Sequence, residues 1–115
     1  MNYQPLARYT VLLIASLSFE VLASETKGDR LSTIFEARCT ECHGGKKQKA
    51  GLRLDTIDWI LQGSRNGSVL TPGSSEDSSL YQRITLPDSH DERMPPKGAP
   101  LSEAQIELIR LWIEN

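Results

Sequence analysis

Apolar residues recur at helical spacing in four short stretches, separated by polar, glycine-rich chain. Leu31, Ile34 and Phe35 fall at i, i+3 and i+4, on one face of a helix running toward Cys39. Asp29 is suited to cap its start, after a polar lead-in over 24–28. A second short helix starts at Asp55 or Thr56, carries Ile57, Trp59, Ile60 and Leu61, and stops at Gly63. Leu80, Tyr81 and Ile84 mark a third. The fourth has the clearest start. Ser102 is its N-cap, Gln105 the return partner of a capping box, and Leu101 and Ile106 a hydrophobic staple. Ile106, Ile109, Trp112 and Ile113 then form one apolar stripe. Residues 44–51 and 64–77 are polar loops, and 86–100 is a loop with four prolines. Leu52 to Asp55 alternates and predicts a brief extended segment. No alternation is long enough for a sheet, and no repeat occurs. The pattern predicts a small all-α domain with long loops.

The first residues read as an address rather than as structure. Arg8 is the only charge before the apolar run from Val11 to Leu17, and Val21, Leu22 and Ala23 suit a signal peptidase. The expected division is a signal peptide over 1–23, cut after Ala23, and one domain over 24–115. The run falls short of the about 20 apolar residues that span a bilayer. The competing reading is an uncleaved N-terminal anchor. No cysteine lies there to carry a lipid.

Length and charge narrow the classes. A chain of 115 residues with 13 Lys and Arg against 15 Asp and Glu has a net charge of −2, without the basic footprint of a nucleic-acid binder. Apolar residues make up 38% and aromatic ones 6%, so the core is small and a staple is expected: a disulfide, a metal or a cofactor.

Cys39-Thr40-Glu41-Cys42-His43 supplies that staple. Cys-x-x-Cys-His is the attachment motif of a c-type haem. On a helical turn Cys39, Cys42 and His43 share a face, so two thiols reach two vinyl groups of one porphyrin while the imidazole reaches its iron. The export signal agrees, because such haem is attached outside the cytoplasm. Three other readings compete. A zinc site needs four ligands, and Cys39, Cys42 and His90 leave one missing. A thioredoxin-like dithiol wants a strand-rich scaffold. A Cys39–Cys42 disulfide closes too small a loop to staple much.

A six-coordinate haem needs a second axial ligand. Met94 is the only methionine after the signal, and Pro95 and Pro96 stiffen the strap around it. Its competing role is a core gap-filler. His90 is the other candidate, in a charged stretch that reads as solvated. Met/His ligation fills both axial positions and favours electron exchange over substrate binding.

At these residues the chain resembles a c-type cytochrome, and more narrowly the planctomycete-type cytochrome c domain, over about residues 32–114. The resemblance rests on Phe35 before Cys39-x-x-Cys42-His43-Gly44, Gly51-Leu52-Arg53-Leu54-Asp55, Pro72-Gly73, and Ser78-x-Leu80-x-x-Arg83-Ile84. It closes with Met94-Pro95-Pro96, the segment from Leu101 to Ile106, and Leu111-Trp112-Ile113. It implies a class I-like helical fold, long loops wrapped around one covalent haem c with its iron, His43 proximal and Met94 distal. The implied activity is one-electron transfer in the periplasm or another exported compartment, by a carrier rather than an enzyme. The carrier is free-standing or part of a larger oxidoreductase. The alternative is a haem sensor or small redox catalyst with an open distal site.

Secondary candidates follow. Arg53 suits a haem propionate, with a plain exposed arginine as the rival reading. Trp59 reads as core, or as a propionate donor through its indole N–H. Pro72 is a possible carbonyl for the second nitrogen of His43. Lys46, Lys47 and Lys49 read as a solvated loop or as a positive patch steering an acidic redox protein partner. Trp112 reads as core against the first helix. No nucleic acid is expected as partner, and no membrane association after signal cleavage.

Overall fold

A computed structural model describes residues 26–115 of the chain. The signal segment and its cut after Ala23 lie outside the described residues. Four α-helices follow in order: α1 (Lys27–Arg38), α2 (Ile57–Gln62), α3 (Ser79–Ile84) and α4 (Glu103–Glu114), with one 3-10 turn at Lys49–Gly51. Among the described residues the only β pairing is three isolated bridges that close turns. The all-α expectation holds.

Helix α1 begins three residues earlier than a cap at Asp29 would place it. Thr26 is its N-cap, and Asp29 is the third helical residue, which completes a capping box. Asp29 accepts from the Thr26 backbone N–H at 3.1 Å and from its hydroxyl at 2.7 Å. These bonds hold its carboxyl below the usual carboxylate range. Helix α4 starts as the sequence predicts, with Ser102 and Gln105 bonded reciprocally. Thr56 caps α2, and Gly63 ends it at φ 80°.

The core lies where α1 and α3 pack on α4. Leu31, Ile34 and Phe35 meet Ile109 and Ile113, and Ile109 is 1% exposed. Phe35 sets its ring edge-on to Trp112, with centroids 6.0 Å apart and planes at 73°, an arrangement that suits aromatic quadrupoles. Trp112 is core, as expected.

The loop over 64–77 is ordered by its serines. The fully buried Ser78 hydroxyl accepts from the Thr71 N–H at 2.9 Å and donates to the Ser74 carbonyl at 2.7 Å. Ser75, also buried, donates to Glu114 at 2.7 Å, and the Gly73 N–H reaches the Ile113 carbonyl at 2.8 Å. A loop that reads as solvent-facing is thereby stitched to the end of α4. Buried polar groups of this kind must be paired, and here they are.

Candidate haem attachment site

The Cys-x-x-Cys-His segment is the unwinding end of α1. Cys39 caps the helix, and the N–H groups of Cys39 and Thr40 both reach the Phe35 carbonyl, at 2.9 and 3.0 Å. The N–H groups of Cys42 and His43 then both turn back to the Cys39 carbonyl, at 3.3 and 3.0 Å. These bonds coil the backbone of 39–43 into a tight turn that carries all three residues. Gly44 lets the turn close: a Cβ there would lie 2.3 Å from the Thr40 carbonyl oxygen.

The following loop folds onto the motif. The Lys49 N–H reaches the Cys42 carbonyl at 3.0 Å, and the Leu54 N–H reaches that of His43 at 2.8 Å. The Nδ1 of His43 lies 3.0 Å from the Lys49 carbonyl oxygen. That oxygen only accepts, so Nδ1 donates to it, and Nε2, which has no hydrogen-bond partner among the described residues, is the ring nitrogen left to a metal. The carbonyl is supplied by Lys49, not Pro72. Backbone carbonyls leave no trace in residue type, so no sequence signal points to it.

Both thiols are free and half-buried. Burial pushes the Cys39 thiol up to about 11, against a smaller opposing pull from Arg38. Among the described residues no group of three or more His, Cys, Asp and Glu side chains is gathered to hold a metal. The zinc reading therefore finds no ligand set there.

Met94 is half-buried against the same apolar cluster that Cys39 packs on. Its backbone N–H is held by the Arg83 carbonyl at 3.0 Å, which ties the strap to the end of α3. His90 is exposed, and its Nδ1 accepts from the Glu92 N–H at 3.1 Å. It belongs to a solvated turn, as the charged stretch suggests.

Arg53 forms two hydrogen bonds to Asp55, at 3.0 and 2.6 Å, and lies 4.3 Å over the Trp59 ring. Its charge is therefore balanced within the chain. Trp59 is not core: it is 40% exposed and serves as the platform for this guanidinium. Lys46, Lys47 and Lys49 are exposed.

The residue that the sequence reading passes over is Arg93. It is 8% exposed, and its Nε and Nη1 find no acceptor. It sits in a charged stretch that reads as solvated, and only its place before Met94 singles it out. A cleft of about 930 Å³ lies elsewhere. It is walled by Leu31, Phe35, Ile60, Leu70, Leu111 and Trp112, and none of Cys39, Cys42, His43 or Met94 lines it.

A family model described as planctomycete cytochrome C matches residues 39–98, more than half of the chain. The chain belongs to this cytochrome c family. The match is narrower than the resemblance over 32–114 and leaves the whole of α1 and the whole of α4 outside it. No curated protein and no solved structure matches. Family membership implies covalent haem c and haem-based electron transfer. The residues present fit that group: two free thiols on one turn, an imidazole with Nε2 unengaged, and a buried guanidinium lacking an anion.

Proposed function

We propose that the protein is an exported one-electron carrier with a single haem c, held by thioethers from Cys39 and Cys42 and ligated by His43 and Met94. When bound, the haem supplies a couple between ferric and ferrous iron. The chain's part is to hold it. Each cysteine adds its S–H across a vinyl group, so that neither thiol ionises afterwards. The Lys49 carbonyl fixes the tautomer and tilt of His43. Arg83 and the two prolines restrain the Met94 strap, so that a weak thioether ligand stays in place through a redox change.

The observation that carries this reading is the His43–Lys49 hydrogen bond, which leaves Nε2 as a ligand beside two free thiols. Export rests on the signal pattern over 1–23. Among the described residues no helix is long and apolar enough to cross a membrane. The exposed lysines of the 44–51 loop offer an acidic redox protein a positive face close in sequence to the haem motif.

The test is expression in a host that matures c-type cytochromes. The intact mass should rise by one haem and fall by the 1–23 segment, and the colour should survive denaturing electrophoresis. The oxidised protein should show a sulfur-to-iron charge-transfer band, and Met94→Ala should lose it and bind carbon monoxide. A colourless product with free thiols overturns the haem assignment. Ready carbon monoxide binding by the wild-type protein overturns Met94 as ligand and leaves the open-site sensor or catalyst.

A further inference from the structure

Arg93 is a buried cation without a counter-charge. An unpaired buried charge is among the costliest features a fold can carry. The nearby acids of its own loop, Asp88, Asp91 and Glu92, are exposed and do not reach it. The carboxylates paired with arginine among the described residues, Asp55, Glu107 and Glu114, serve Arg53 and Arg110. Among the described residues no carboxylate serves Arg93, and a bound group that carries its own anion would supply one.

The backbone ties Arg93 to the strap that carries Met94. The Arg93 N–H is bonded to the His90 carbonyl at 3.1 Å, and the next N–H, that of Met94, to the Arg83 carbonyl at 3.0 Å. The guanidinium thus belongs to the same anchored strap as the candidate iron ligand, and Met94 packs on the cluster that also holds Cys39. The group that the family implies brings its own carboxylates, the two propionates of the porphyrin. We infer that Arg93 binds a haem propionate, and that Arg53, already neutralised by Asp55, is not its principal partner. This rests on the haem reading above.

The test uses the haem-loaded protein. In the reduced wild-type protein labelled with 15N-arginine, the Arg93 Nε–H should exchange slowly with solvent and show a nuclear Overhauser contact to a propionate methylene. Arg93→Gln should shift the propionate bending band in the resonance Raman spectrum and lower the midpoint potential, because an unbalanced carboxylate favours ferric iron. Arg93→Lys should recover most of the potential, and Arg53→Gln should leave the band in place. A haem-bearing Arg93→Gln variant with an unchanged propionate band overturns the inference. So does a wild-type protein without the Overhauser contact, which needs no variant to fold, or a band that moves only in Arg53→Gln. A chain that never acquires haem instead overturns the reading beneath it.

Discussion

Cys39 should be a slow nucleophile in the haem-free polypeptide. Its thiol is pushed from 9.0 to about 11 because burial against the α1 end disfavours the thiolate. At about pH 8 an ordinary thiol with pKa 9.0 is roughly one-tenth thiolate and Cys39 roughly one-thousandth, a loss of about a hundred-fold in the reacting species. A more basic thiolate is intrinsically more nucleophilic, which returns about six- to ten-fold. The net expectation is alkylation roughly ten-fold slower than for a free thiol, and limited access only adds to it. The assay is the rate of iodoacetamide labelling of Cys39 in a haem-free Cys42→Ser variant, followed by mass, against the same variant unfolded in guanidinium chloride. The sign of the linked stability follows. The folded pKa lies above the unfolded one, so this burial contributes fully below about pH 9 and is lost as pH rises through about 11, an effect of roughly 2–3 kcal/mol. Equal labelling rates in the folded and unfolded chains would refute the docking of Cys39 on the core.

Two further substitutions test the frame around the site. Gly44→Ala brings a methyl to 2.3 Å from the Thr40 carbonyl oxygen, so the motif's turn must open. We expect a loss of about 1–3 kcal/mol, read from the urea midpoint, with weakened His43 ligation in the same sample. Ser78→Ala strips the partner from the Thr71 N–H in a fully buried position. It should cost about 1–3 kcal/mol by the same measurement, whereas a change within a few tenths would mean that water replaces the hydroxyl.

Local chemistry wrote α4 into the sequence twice, as the Ser102–Gln105 capping box and as the stripe through Ile109 and Ile113, and both appear in the fold. The start of α1 was less legible because Thr26 and Asp29 are both good caps. Asp29 looks like the first residue of the boundary when it is the partner that closes it. Trp59 misleads for another reason. Helix α2 has only six residues and buries one of them, Ile60, so the remaining apolar side chains face outward whatever their type. The attachment turn was legible because its chemistry depends on residue identity. The Lys49 carbonyl and the orphaned Arg93 were not, since one is backbone and the other is defined by a partner the polypeptide does not contain.

The segment that identifies the family, 39–98, does not hold the attachment turn in place alone. Both N–H groups that begin the turn bond to the Phe35 carbonyl, and the Phe35 ring is set against Trp112. The guanidinium of Arg38, one residue before Cys39, reaches the Ala99 carbonyl ahead of α4. The orientation of the two thiols therefore depends on how α1 docks on α4, through residues outside the matched span. The motif fixes which side chains the turn carries, while the packing of α1 on α4 fixes where that turn sits. A chain that kept Cys39, Cys42 and His43 but lost the Phe35–Trp112 contact would retain the residues of the motif and lose part of the packing that holds their turn on α4.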